Sequence, residues 1–143
     1  MTNENRWNVE HRLEVAAAPE TLWGLFRDVS SWKQWNAGIE SIQLDGEFAK
    51  NTWFTMKPPG QDALRSQLVE VRENECFVDE TRVDGLTITV AHRLQPLGKG
   101  RTQVTYALEA TGPGAAEVGP MVAADFPDVL AALAKHAART PRA

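Results

Sequence analysis

The chain has 143 residues, of which 43% are hydrophobic and 24% charged, with a formal net charge of −4. This length and composition are typical of one globular domain and exclude a disordered or fibrous protein. We therefore predict a single domain over residues 1–143. No window concentrates lysine and arginine as the neutralisation of phosphates requires, so we expect no nucleic-acid partner.

The sequence also lacks the marks of several common site types. Cys76 is the single cysteine, which excludes an intrachain disulfide and a cysteine-built zinc site. The histidines and carboxylates do not stand at zinc-site spacings, and no phosphate-binding glycine loop is present, so we expect no metal and no cofactor. Without a stretch of 18 apolar residues or the apolar core of a signal peptide, we expect a cytoplasmic protein that does not insert into a membrane.

The first part of the chain alternates in polarity and then changes period. Apolar residues and His11 alternate with polar ones from Trp7 to Val15, which predicts a strand with one buried face. Pro19-Glu20 predicts the start of a short helix, because proline suits a first helical turn and the helix dipole favours an acid there. A second helical turn should follow through Trp32 and Trp35.

The middle of the chain is a succession of short alternating runs separated by turn residues. Asp84-Gly85 is the strongest hairpin signal, and Gly98-Lys99-Gly100 predicts a second turn. The predicted strands cover residues 39–45, 50–56, 64–72, 76–83, 86–95 and 102–111.

After Gly114 the pattern becomes helical, with an apolar stripe from Met121 to Ala137. Pro120 and Pro127 should kink or restart this helix near its beginning. The element order predicts an α+β protein in which the C-terminal helix covers the apolar face of a seven-stranded antiparallel sheet.

Four motifs carry a family resemblance: Ala17-Ala18-Pro19-Glu20-Thr21-Leu22-Trp23, Phe26-Arg27-Asp28, Trp32-Lys33-Gln34-Trp35, and the terminal helix around 126–133. With these the chain resembles the START-like or SRPBCC superfamily, in its polyketide cyclase/dehydrase-like branch. The resemblance implies the helix-grip fold, in which a curved seven-stranded antiparallel sheet wraps around a long C-terminal helix and two short helices follow the first strand. Members of the superfamily include lipid carriers, aromatase/cyclases and chaperone regulators.

Strand pairing predicts a polar cluster inside such a sheet. Counting outward from a two-residue turn at Asp84-Gly85 pairs His92 with Phe77, Val90 with Asp79 and Ile88 with Thr81. The glycine turn brings Tyr106 near His92, and the helix-grip fold places the first strand beside the last, which brings in His11. The candidate acid–base residues are therefore His11, Asp79, His92 and Tyr106. The alternative is that each is a core or cavity-lining residue with one satisfied hydrogen bond.

Three functions remain open at this point. The first is binding of a small hydrophobic molecule such as a lipid, polyketide, quinone or aromatic metabolite, the second a cyclase/dehydratase-type enzyme, and the third a surface-mediated interaction protein of the Hsp90-activator kind. Edge strands within 39–56 also offer a route to a homodimer. The predicted ligand-binding residues are Val9, His11, Trp35, Trp53, Phe77, Thr81, Ile88, Val90, His92, Tyr106, Phe126 and Leu130.

Overall fold

The structure is a computed structural model, and it describes residues 5–139. The strands are β1 (Arg6–Val15), β2 (Ser41–Leu44), β3 (Trp53–Lys57), β4 (Leu64–Arg72), β5 (Cys76–Val83), β6 (Leu86–Gly98) and β7 (Arg101–Thr111). The helices are α1 (Pro19–Arg27), a 3₁₀ helix (Val29–Gln34), α2 (Ala115–Ala123) and α3 (Phe126–Ala138).

All seven strands form one antiparallel sheet in the order β1-β7-β6-β5-β4-β3-β2. The predicted seven-stranded sheet is therefore confirmed, including the pairing of the first strand with the last. Register shifts in β4 between Leu68 and Glu70, and in β6 between Pro96 and Gly98, mark bulges that bend the strands. Strands β1 and β2 are the sheet edges. A homodimer formed through β2 stays a prediction.

The turn residues fix the registers as expected. Asp84 and Gly85 both have positive φ, 52° and 84°, as a two-residue hairpin turn requires. The predicted strand bounds were less accurate at their ends. Residues 50–52 form a turn in which Asn51 has φ 78°, so β3 begins only at Trp53. The strand predicted over 39–45 is shorter, and the one predicted over 86–95 continues to Gly98.

The C-terminal helical region covers the inner face of the sheet in two segments. It breaks at Ala124 and Asp125, and Pro127 lies in the first turn of α3, which confirms the predicted restart. Pro120 lies inside α2 without ending it. Gly119 of α2 packs so closely on the Trp7 ring of β1 that any side chain there would overlap the ring.

The two short helices are held by an aromatic cluster. The Phe26 ring meets Phe77 of β5 at 5.0 Å between centroids, and Trp32 stacks on Phe77 at 5.6 Å. The buried Trp32 Nε1 donates to the Phe26 carbonyl at 2.9 Å. These contacts pin the short helices over the middle of the sheet and make one rigid wall of the space between sheet and helices.

Candidate functional site

A chamber of about 180 Å³ lies between the inner face of the sheet, the end of the 3₁₀ helix and the α2–α3 junction. It continues into a wider cleft of about 700 Å³. The residues that line both spaces, and so form the passage between them, are Asn36, Ile39, Met56, Leu64, Thr81, Ile88, Val122, Asp125 and Phe126.

Apolar and aromatic side chains make most of the chamber wall. Six aromatic rings line it, those of Trp32, Trp35, Phe54, Phe77, Tyr106 and Phe126. Polar groups are few: Ser66 and Thr81 satisfy each other through a 2.6 Å hydroxyl–hydroxyl bond. The wall therefore has the composition of a small-molecule pocket, apolar with a few placed polar groups.

Asp79, His92 and Tyr106 bring polar atoms to this wall from the neighbouring strands β5, β6 and β7. The sheet pairs His92 with Phe77 on one side and with Tyr106 on the other, and pairs Asp79 with Val90. The registers predicted from the Asp84-Gly85 turn are therefore confirmed.

The Asp79 carboxyl is desolvated and lacks a hydrogen-bond donor among residues 5–139. Its side chain is 16% exposed, and His92 Nδ1 lies 3.9 Å from its Oδ2, which is too long for a hydrogen bond. Burial raises the pKa of Asp79 from 3.8 to about 7. At neutral pH this carboxyl therefore exchanges readily between its acid and base forms.

The His92 ring is fixed and uncharged. It stacks on Phe77 with 3.9 Å between centroids and 7° between planes, and its Nδ1 lies 3.3 Å from the Phe77 carbonyl oxygen. Burial lowers the pKa of His92 to about 3, against a smaller opposing effect of that carbonyl. In the neutral tautomer that carries its proton on Nδ1, the Nδ1–H donates to the Phe77 carbonyl and Nε2 is a hydrogen-bond acceptor.

Tyr106 is 3% exposed, and its hydroxyl forms no hydrogen bond with another described residue. Burial, and after it the negative charges of Asp79 and Asp125, raise its pKa above the ordinary value. The phenol therefore keeps its proton and is a donor.

Asp125 stands at the N-cap position of α3 without capping the helix, and it lines the chamber and the cleft instead. Burial raises the pKa of Asp125 as well.

Eight of the twelve predicted ligand-binding residues line the chamber: Trp35, Phe77, Thr81, Ile88, Val90, His92, Tyr106 and Phe126. Trp53 does not, because Phe54 takes the inner face of β3 and leaves Trp53 outside, 44% exposed with Arg65 over its ring. His11 does not line the chamber either. It pairs with Tyr106 on the inner face of β1, but its ring contacts the Phe126 ring, and Phe126 is the residue that lines the chamber there. Val9 and Leu130 belong to the packing around β1 and α3.

The sequence analysis missed several lining residues, of which Ser66, Asp125 and Trp32 matter most for the chemistry. Ser66 had a readable signal, since it shares the inward face of β4 with Leu64 and Leu68. Asp125 directly precedes Phe126-Pro127 and resembles an ordinary helix cap, so its sequence position did not indicate a cavity.

Within residues 5–139 no group of three or more metal-ligating side chains is suited to hold a metal ion. No helix of the described part is long and apolar enough to span a membrane.

Residues 6–138 match the family described as "Polyketide cyclase / dehydrase and lipid transport". The chain belongs to this family. Its fold is shared with solved members of the START-like superfamily, which confirms the helix-grip resemblance. No curated protein matches the chain in sequence.

Solved structures similar to this family member share its fold at low sequence identity. The Zhui aromatase/cyclase from Streptomyces sp. R1128 has a TM-score of 0.76 at 17% identity, covering 96% of this chain and 97% of its own. A START superfamily protein from Mycobacterium smegmatis has a TM-score of 0.75 at 19% identity, covering 92% and 97%. Truncated norcoclaurine synthase from Thalictrum flavum has a TM-score of 0.75 at 14% identity, covering 99% of both chains. At these identities the likeness establishes the fold alone.

Proposed function

We propose that this protein binds a small, ring-containing and largely apolar ligand in the chamber. The observation that carries the proposal is an aromatic-lined chamber in which the Asp79 carboxyl and the Tyr106 hydroxyl have no protein partner among the described residues. Polar groups that face an apolar chamber without a protein partner are costly unless water or a ligand satisfies them, so a ligand that bonds both groups gains binding energy. A chamber of about 180 Å³ takes roughly one aromatic ring, since an engineered cavity of ~150 Å³ binds benzene. The remainder of a larger ligand would extend into the cleft.

Native mass spectrometry of the purified protein tests this proposal, followed by denaturing extraction and identification of the released molecules. We expect a retained ring-containing compound, or a gain in thermal stability from a panel of lipids, quinones and polyaromatic compounds. A protein that is empty and gains no stability from the panel would contradict the proposal.

A blocked variant sharpens this test. Ile88 lines both chamber and cleft, so Ile88→Trp should fill the passage and abolish binding while the fold is retained. Leu97→Trp is the matched control on the same strand, because Leu97 is exposed and lies outside both spaces. Equal loss of binding in the two variants would point to a general effect on the fold.

A second candidate, acid–base catalysis of the cyclase/dehydratase type, is favoured by the pKa of Asp79 near 7. In this reaction the Asp79 carboxylate removes a proton from the carbon next to a substrate carbonyl. Tyr106 donates a hydrogen bond to the carbonyl oxygen as the enolate forms. In D₂O the acid form of Asp79 exchanges its proton for a solvent deuteron, and the enolate carbon takes that deuteron from Asp79. Exchange of the α-protons of phenylacetone in D₂O, followed by NMR, measures this step without knowledge of the natural substrate.

Catalysis predicts exchange above the buffer rate that rises through pH 7, is lost in Asp79→Asn and is reduced in Tyr106→Phe. Exchange at the buffer rate, with binding retained, would leave the protein a carrier or sensor. The third function, surface-mediated interaction, predicted a cavity filled by side chains, and the open chamber does not favour it.

A further inference from the structure

The charged groups around the chamber and cleft are all of one sign. Asp79 and Asp125 line the chamber, and Asp84 and Asp125 line the cleft. No lysine or arginine among the described residues lines either space. From the described part of the chain, a ligand that enters therefore meets carboxylates and no lysine or arginine.

The protein's own cations are held elsewhere. Seven arginine and lysine side chains are paired with acids on the outer surface. Lys57 shows the separation clearly: it lies between the cleft-lining residues Met56 and Pro58, yet its Nζ bonds Glu40 at 2.5 Å and it does not line the cleft. Within residues 5–139 no basic side chain lines the chamber or cleft, where it could neutralise a ligand carboxylate or phosphate.

The chamber wall suits a positive charge in a second, independent way. Six aromatic rings line the space, and the face of such a ring attracts a cation placed over it. Tyr106 lines the chamber together with Asp79 and Asp125, and the charges of both carboxylates raise the pKa of its phenol. The buried Asp79 carboxylate forms no ion pair with a lysine or arginine among the described residues. In residues 5–139, the one basic side chain within 4 Å of it is the His92 ring, which is neutral.

From this arrangement we propose that the ligand carries a protonated amine, which sits against Asp79 among the aromatic rings while its apolar part fills the chamber. The proposal rests on the proposed binding function and names its ligand class. A carboxylate or phosphate on the ligand would be repelled by Asp79 and Asp125, so the chamber discriminates by charge between molecules of the same shape.

Three probes of one shape test the charge preference: 2-phenylethylamine, 2-phenylethanol and phenylacetate, titrated at pH 8 by ligand-observed NMR and calorimetry. We expect the amine to bind at least tenfold more tightly than the alcohol, and the acid to bind most weakly. If the alcohol binds and the amine is no better, the amine proposal is wrong and the binding function stands. If the acid binds best, the amine proposal is likewise overturned. If none of the three binds, both proposals fail.

Asp79→Asn should abolish the preference for the amine and leave binding of the alcohol. Glu73→Gln removes the same charge from the exposed β4–β5 turn, outside the chamber and cleft, and should leave the preference intact. Asp125→Asn should reduce the preference by a smaller factor, and it provides a second variant if Asp79→Asn does not fold.

Wild-type protein supplies a test that needs no substitution. The titratable groups that line the chamber with Asp79 are His92, Tyr106 and Asp125. His92 is neutral and Tyr106 protonated throughout pH 6–8. Since ionised Asp79 makes the larger contribution to attracting the amine, the affinity of the protein for the amine should fall roughly tenfold from pH 8 to pH 6. Its affinity for the alcohol should stay constant. The same fall in Asp79→Asn would assign the effect to Asp125 and overturn the role of Asp79.

Discussion

The buried carboxyl of Asp79 makes the stability of the fold depend on pH in a way that one substitution isolates. Its pKa is about 7 in the folded protein and 3.8 for an ordinary aspartate, so the folded state binds this proton more tightly than the unfolded chain does. The resulting destabilisation is absent below about pH 4, grows as the pH rises, and is complete above pH 7. At ~1.4 kcal/mol per pKa unit, a difference of about three units corresponds to about 4 kcal/mol.

Asp79→Asn keeps the shape of the side chain and removes its ionisation. The amide is as poorly partnered as the protonated acid, so the two neutral groups should destabilise the fold about equally. We therefore expect the variant to match the wild type in stability at pH 4, where Asp79 is protonated, and to be more stable at pH 8. The difference in free energy of unfolding should change by about 4 kcal/mol between these two values.

His92 opposes this trend in the wild type, because its folded pKa of about 3 lies below the ordinary 6.5. Protonation of the unfolded chain therefore removes stability as the pH falls from about 6.5 towards 3. Both proteins carry His92, so its contribution cancels in the difference between them. The wild type alone should show a nearly flat stability from pH 4 to 6.5, since the two effects have opposite signs.

Urea unfolding followed by tryptophan fluorescence at pH 4, 5, 6, 7 and 8 gives both free energies, provided that the slopes with urea agree. Glu73→Gln serves as the control for loss of one surface charge. A difference between Asp79→Asn and wild type that stays constant over this range would refute the reasoning, because it would mean that Asp79 titrates alike in the folded and unfolded states.

Two further predictions concern packing and hydrogen bonding, and denaturant unfolding checks both. Gly119→Ala should lower the free energy of unfolding by roughly 1–3 kcal/mol, because the new methyl overlaps the Trp7 indole. Gly24→Ala is the control: no atom lies within 4 Å of its new methyl, so it should raise the free energy of unfolding by up to about 1 kcal/mol. Equal effects of the two substitutions would contradict the close contact at Gly119. Thr102→Val should cost roughly 1–3 kcal/mol, because the fully buried Thr102 hydroxyl donates to the Ala17 carbonyl at 2.7 Å. The Thr105 hydroxyl has no such bond within residues 5–139, so Thr105→Val should change the free energy of unfolding little. A larger loss in Thr105→Val than in Thr102→Val would refute the assignment.

The part of the site that the sequence predicts well follows from a single turn. Asp84-Gly85 leaves two residues between β5 and β6, so the register of the two strands is determined by counting, and the pairing of Asp79 with Val90 follows. Because side chains alternate across a strand, the same count tells which residues face the chamber. Local turn chemistry thus predicts one wall of the cavity, a long-range feature.

The failures have physical causes of a different kind. The turn at Asn51 shortens β3, and without its true start the alternation did not decide between Trp53 and Phe54. The pairing of His11 with Tyr106 follows from the fold, but Phe126 enters from α3 and lines the chamber at that place. The positions of Phe126 and Asp125 depend on how the helices dock on the sheet, and sequence periodicity does not report docking.

The pairing of β1 with β7 joins residues about a hundred positions apart along the chain, such as Trp7 and Ala110. Because such distant contacts must wait for the intervening loop to close, we expect slow folding, on the order of milliseconds to seconds. During synthesis on the ribosome, the apolar face of β1 emerges first and stays without its partner until β7 has been made. This exposed face is a natural target for chaperones, and the chamber takes shape only in the last stage of folding, after β7, α2 and α3 are complete.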